Sequence, residues 1–135
     1  MPGLDVTPVV PEGRKAVQSY GGGRFRVSGD IFESSILLTA TACRAWEVSG
    51  PGWLDADRLA ADIAALAGTG GGETSTMILV IGCGARFSAP PAGFRDAMKA
   101  KGYGVEWMDT GAACRTFNVL MGEGRPVAAA IIAID

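Results

Sequence analysis

Residues 77–84 read MILVIGCG, a nearly continuous apolar run with no polar alternation that stops at two glycines. A strand with one wet face alternates apolar and polar side chains, so a run without alternation marks a strand covered on both faces. It is expected at the centre of a sheet. Downstream, Pro90 and Pro91 suit the first turn of a helix with an inner stripe of Phe94, Ala97 and Met98; Lys99 and Lys101 stand at its electronegative end, before Gly102. VEWMD (105–109) reads as the next strand, a second helix follows from Gly111, and PVAAAIIAI (126–134) closes the series as a strand. Strand, helix, strand, helix, strand demands crossover connections, which gives a βαβ-type second half with a largely parallel sheet.

Upstream of residue 77 the periodicity is different. Val17 and Tyr20, then Phe25 and Val27 alternating with Arg24, Arg26 and Ser28, read as short antiparallel strands joined by Gly21-Gly22-Gly23. Ser28-Gly29-Asp30 offers a second reversal, after which IFESSILLT (31–39) grows apolar toward a buried end. A short strand is expected over Arg44 to Val48, stopped by Ser49-Gly50-Pro51-Gly52. Asp55 can cap a helix carrying Leu59, Ile63 and Leu66, with Leu54 placed to staple against Leu59 and Gly68 to end it. TGGGETS (69–75) then resembles a flexible linker more than a phosphate cradle, since it does not join a strand directly to a helix. Residues 1–14, with three prolines and no periodicity, suggest a flexible N-terminal arm. Residues 15–135 suggest a single α/β domain with antiparallel strands at its N-terminal end.

The chain of 135 residues is 48% hydrophobic and 19% charged, which suits one compact domain. Its net charge is −2 and its 12 basic residues form no run, so there is no electrostatic footprint for nucleic acid or an anionic membrane. No apolar stretch approaches the roughly 20 residues of a membrane span, and neither a signal peptide nor an Arg-rich transit peptide is legible at the start. The expectation is a soluble cytoplasmic protein. The chain has no histidine, which removes Ser–His–Asp and Cys–His catalysis and the commonest neutral metal ligand. Cys43, Cys83 and Cys114 are odd in number and widely spaced, so neither a zinc site nor a disulfide framework is signalled. Asp30, Glu33, Glu47 and Glu106 fall into no spacing that demands an acid–base pair or a metal cage. No catalytic residue, metal or cofactor is assigned.

Two places carry candidate binding residues. In WMDTGAACRTFNVLMGEGR (107–125), Thr110 or Asp109 can cap the helix and Gly122 or Gly124 can end it. At about 100° per residue, Ala113, Phe117 and Leu120 form an apolar arc flanked by Cys114 and Met121, leaving Arg115 and Asn118 to project together from the far side. Three apart, their heads can share one carboxylate, phosphate or carbonyl. The competing reading is structural: Arg115 pairs with Glu123 or Asp109, and Asn118 braces the next loop. Glu123 and Arg125 flank Gly124 and either clamp the helix end or join the same face. The other place is Gly82-Cys83-Gly84, where the carboxyl end of the long strand is a common ligand position in open α/β sheets. The surrounding GCGARFSAPP lacks a third fingerprint glycine and a GK[ST] element, so its glycines serve at least as well for a sharp turn. Cys83 would be reactive only if partly exposed.

TGAACRTFNVLMGEGRPVAAAII (110–132), preceded by ILVIGCG (78–84) and FRVSGDIFESSILLT (25–39) with Trp46, resembles the domain of the mitochondrial complex I assembly factor 3 and its small bacterial and archaeal relatives. The resemblance spans roughly residues 16–134. Phe117 stands where many members carry tyrosine, and Cys83 where threonine or another small residue is usual. The resemblance implies a three-layer α/β fold whose central mixed sheet has one strand running against the rest, with no established enzymatic activity or cofactor. It also implies an interaction module, since the mitochondrial member binds other proteins during assembly of the respiratory NADH dehydrogenase. Its expected partners are respiratory complex subunits or assembly proteins. The alternative is a small-molecule or anion-binding domain using a cleft beside Gly82–Gly84 and Arg115.

Overall fold

The structure, a computed structural model, describes residues 4–5, 12–48, 54–67 and 77–135. Its centre is a five-stranded mixed sheet formed by β5 (Ser35–Thr39), β6 (Cys43–Trp46), β7 (Met77–Gly82), β8 (Tyr103–Met108) and β9 (Val127–Ile131), in the order β6-β5-β9-β7-β8. β7 pairs in parallel with both β8 and β9, while β5 pairs antiparallel with β9 and β6. β5 therefore runs against the other four strands, as the family resemblance implies.

The middle strand is β9, not MILVIGCG, which lies second. The reason lies in side-chain size. β9 is Val-Ala-Ala-Ala-Ile and buried throughout, so it can be approached closely from both faces. Ala129 joins the core formed with Cys114 and Phe117, and Ala128 and Ala130 join the core on the other side with Leu59, Ile63 and Met98. Gly82, at the end of β7, extends this closeness. A methyl group there would lie 2.8 Å from Ile131 Cγ2, 3.0 Å from Ala113 Cβ and 3.1 Å from Thr110 Cα.

One face of the sheet is covered by α1 (Ala56–Ala67) and α2 (Phe94–Ala100). Asp55 caps α1, its carboxylate accepting from the amides of Asp57 and Arg58. The α2 helix starts later than its prolines suggest. Gly93 is left-handed (φ 80°), and the Phe94 amide turns back to the Pro91 carbonyl, so Pro90 and Pro91 lie in the preceding loop. Phe94 meets Trp107 edge-on, with centroids 5.8 Å apart.

The other face carries α3 (Thr110–Gly122). Over that helix lies a second, four-stranded antiparallel sheet of β1 (Leu4–Asp5), β2 (Val17–Gly21), β3 (Arg24–Val27) and β4 (Asp30–Phe32). Its inner residues Val17, Tyr20, Phe25 and Val27 share a core with Ala113, Phe117 and Met121. Ser28 (φ 47°) and Gly29 (φ 94°) supply the two positive φ angles of a type I′ reversal between β3 and β4. The Ser28 hydroxyl, accepting from the Ala16 amide, holds this unusual serine in place.

The run IFESSILLT is not one strand but parts of two, in different sheets. It breaks at Glu33-Ser34, where Glu33 turns out to meet Arg24 at 3.2 Å and the chain crosses to the fully buried β5. Within the expected arm, Leu4–Asp5 pairs with Tyr20 and Ser19; residues 49–53 and 68–76, with the expected turn, helix stop and glycine-rich linker, lie outside the described residues. The architecture is thus an α/β domain in layers: two helices, a central mixed sheet, then a helix roofed by an antiparallel sheet.

The crowding at Gly82 makes a specific demand. Gly82→Ala is expected to destabilise the fold by about 1–3 kcal/mol through overpacking, read as a lowered midpoint in urea unfolding.

Candidate functional site

The start of α3 is closed by its own residues. The Asp109 carboxylate accepts from the Ala112 amide at 2.9 Å, satisfying an orphan donor of the first turn. Thr110, fully buried, donates its amide to the Gly84 carbonyl and its hydroxyl to the Ile132 carbonyl. The Ile132 amide in turn donates to the Gly82 carbonyl, and the Cys83 amide to the Met108 carbonyl. Gly82-Cys83-Gly84 is therefore a junction at which the ends of β7, β8 and β9 meet the helix. Its polar backbone is largely committed, and a carboxylate already sits where an anion would bind.

Along α3, the pairing of Arg115 with Asn118 on a far side does not hold. Asn118 is only 7% exposed, and its amide brackets Val17, Oδ1 accepting from the Val17 N–H and Nδ2 donating to the Val17 carbonyl, both at 2.9 Å. The buried arc is Thr110, Ala113, Cys114, Phe117, Asn118 and Met121. It is centred nearer Cys114 than Ala113, because the second sheet covers a flank that a helix on a single sheet would leave wet. Arg115 is exposed, with Nη1 donating to the Tyr20 hydroxyl at 3.4 Å rather than pairing with Glu123 or Asp109. Gly111 lies under the same phenol: a methyl group there would be 2.6 Å from the Tyr20 oxygen.

At the other end, Arg125 meets Glu123 at 4.0 Å with both half-exposed, a contact worth little. The helix is closed by the Gly124 and Arg125 amides, which donate to the Met121 and Leu120 carbonyls. At about 1.5 Å per residue, α3 separates this pair from the glycine junction by roughly 20 Å. The seven candidates thus fall into three places: Gly82, Cys83 and Gly84 at the helix start, Asn118 inside, and Arg115 with Glu123 and Arg125 along the outside. No single small ligand spans them.

The described clefts lie elsewhere. One of 410 Å³ is lined by Arg44, Trp46, Leu54, Arg58, Leu59 and Asp62, with Asp62 paired to Arg44 at 3.4 Å and Arg58 at 3.7 Å. Another of 350 Å³ is lined by residues including Glu33, Trp46, Glu47 and Ile132. Sequence spacing gave no sign of either, since each joins segments brought together only by the tertiary fold. Among the described residues no cluster of acidic and cysteine side chains could hold a metal ion.

Burial pushes the thiols of Cys43 and Cys114 up to about 12, with nearby Lys15 and Arg115 respectively drawing them partly back. Neither is an available nucleophile at neutral pH. Cys83 is half-buried.

Two outcomes follow from this geometry. Asn118→Ala strands the Val17 amide and carbonyl and is expected to cost about 2–4 kcal/mol in urea unfolding. A thiol with a raised folded pKa stabilises fully below the unfolded value near 9 and loses that contribution as pH climbs toward about 12. Stability should therefore decline over that window, and Cys114→Ala should remove about one proton from those released on unfolding near pH ~10.5, measured by the pH dependence of unfolding.

Comparison with known proteins agrees with this architecture. An uncharacterized protein of Rhodobacter capsulatus is 34% identical over 120 residues, covering 89% of this chain and 86% of the relative. The NADH dehydrogenase (ubiquinone) 1 alpha subcomplex assembly factor 3 of Danio rerio is 29% identical over 116 residues, which is 86% of this chain but 63% of that protein's length. This chain therefore spans less than two thirds of that relative. Among solved structures, a crystal structure of a protein described as an outer membrane protein from Bartonella henselae superposes with a TM-score of 0.73 at 30% identity, covering 91% of this chain and 98% of the other. Among the described residues of the present chain, no helix is long and apolar enough to cross a membrane. The family described as "Protein of unknown function (DUF498/DUF598)" matches residues 17–132, and this chain belongs to it.

Proposed function

We propose that the chain is a non-enzymatic protein-interaction domain of the cytoplasm, resembling a complex I assembly factor, whose partners are subunits or assembly proteins of the respiratory NADH dehydrogenase. The observation that carries this reading is the outer face of α3. Arg115, Val119 and Glu123 follow one another at four-residue spacing along the solvent side, and Val119 is 58% exposed at the middle of the row. Arg125 extends the row past the helix end. An exposed branched apolar residue among charges of both signs suits the centre and rim of a protein contact. Asn118 supports this surface from behind, by fixing the helix to the second sheet.

Kinship points the same way. The Danio rerio relative is named for assembly of NADH dehydrogenase, and the matched region is nearly the whole of the present chain. The other reading, an anion or small molecule held beside Gly82–Gly84 and Arg115, has less support. The backbone groups of that junction are largely engaged within the fold, the Asp109 carboxylate caps the helix start, and the described clefts are lined by other residues.

Affinity capture from the native cell tests the proposal, comparing wild type with the double variant Arg115→Ala, Val119→Asp. Subunits or assembly proteins of the respiratory NADH dehydrogenase should be enriched by wild type and lost by about tenfold or more in the variant, while its unfolding midpoint stays close to wild type because both positions are exposed. Capture of no such protein, or equal capture by the variant, would sink the reading.

A further inference from the structure

Phe87 is 62% exposed, yet the backbone that carries it is pinned on both sides. The Trp107 indole N–H donates to the Ser88 carbonyl. The Ser88 amide donates to Cys83 Sγ at 3.4 Å, and the Cys83 thiol donates to the Arg86 carbonyl at 3.5 Å. Cys83 is itself tied to β8 through its amide, and the Phe94 amide closes the far end of the loop on Pro91. Pro90 and Pro91 hold fixed φ angles between these anchors. The ring is therefore held in water by its supports instead of folding back onto the protein. Around it Ala85, Ala89, Pro91 and Ala92 are exposed, and Arg86 is the only charged residue from Gly82 to Gly93.

The geometry points to Phe87 as the anchor of a protein contact, its ring entering an apolar pocket of the partner while Arg86 meets a carboxylate on the pocket rim. Aromatic and arginine side chains dominate the energetics of protein contacts when they reach a desolvated pocket. A loop already fixed in its bound shape loses little freedom on docking. The composition also selects the occupant. One cation is too few to draw the loop to an anionic lipid surface, where several basic residues act together. A symmetric contact through Phe87 with a second copy would bring the two Arg86 guanidiniums toward each other. Cys83 acts here as a positioning residue, its sulfur tying Ser88 to Arg86 on either side of the ring. The inference rests on the reading above only in taking a protein as the occupant; the junction of Gly84 with Thr110 makes the loop continuous with the start of α3.

Photo-crosslinking in the native cell tests it, with the photoreactive analogue benzoylphenylalanine substituted in the full chain at Phe87 and, as a control, at Ile31, which is 52% exposed on the other sheet. Position 87 should give one dominant protein adduct, attached to a partner segment with apolar residues and a neighbouring Asp or Glu. Arg86→Glu should cut the yield by about tenfold, and Phe87→Ser should weaken binding of the purified partner by about tenfold or more, with an unchanged unfolding midpoint. An adduct with lipid or with a second copy, equal yields at positions 31 and 87, or no adduct would overturn the assignment. The two proposals fail separately. A partner unrelated to the respiratory NADH dehydrogenase would leave the Phe87 contact standing and remove the assembly reading; loss of NADH dehydrogenase capture in the α3 variant, with no adduct at position 87, would do the reverse.

Discussion

Two hydrogen bonds from one side chain fix the second sheet onto the helix that it shares with the central one. The Asn118 amide gives and takes with the N–H and carbonyl of Val17, 101 residues earlier, and so acts as a one-residue substitute for a neighbouring strand. It does so beside the register shift between Val17 and Ser19. Once β2 is fixed there, Tyr20 lies across Gly111 and reaches Arg115, and Phe25 and Val27 close over Phe117. An apolar residue at 118 could fill the space, but it could not satisfy Val17, and a buried unpaired amide costs more than a buried methyl group returns.

The βαβ half was legible because its signals are local. Continuous apolar runs, a side-chain cap at Asp109 and alternating elements are written within short windows. Strand order is not local, and here size mattered more than hydrophobicity. The alanines of β9 look weaker than MILVIGCG on any hydropathy scale, yet their smallness is what lets helices close on both faces of the sheet. The split of IFESSILLT was hidden for a related reason, since both halves carry strand-like residues and only Glu33-Ser34 marks the crossing.

The candidate site was read less well than the fold. A helix wheel assumes one covered side, and on that assumption Asn118 falls in water beside Arg115. A second sheet on the same helix moves the boundary of burial by about one residue position, enough to carry Asn118 inside while Arg115 stays out. Position after a long strand marks Gly82–Gly84 as a candidate ligand position or a sharp turn, but nothing in the spacing tells whether its backbone groups are free or spent. Two exposed apolar residues, Val119 on α3 and Phe87 in the loop after Gly84, carry no signal as single letters; their meaning comes from what holds their neighbours still.

The place of β9 has a consequence for how the chain reaches this state. The strand in the middle of the sheet is made after the other four strands that join it, and its partners on one side, Ile36 to Thr39, precede it by about ninety residues. Before residues 127–131 leave the ribosome, β5 and β6 form a hairpin without its main neighbour, and β7 has only β8 beside it. Closing such distant pairs is slow because loop entropy is spent before contacts are gained. The nascent chain therefore carries two half-sheets with open apolar edges until β9 slides between them, which makes the interval before residues 127–131 emerge a stage at which this sheet is exposed to aggregation and to chaperones.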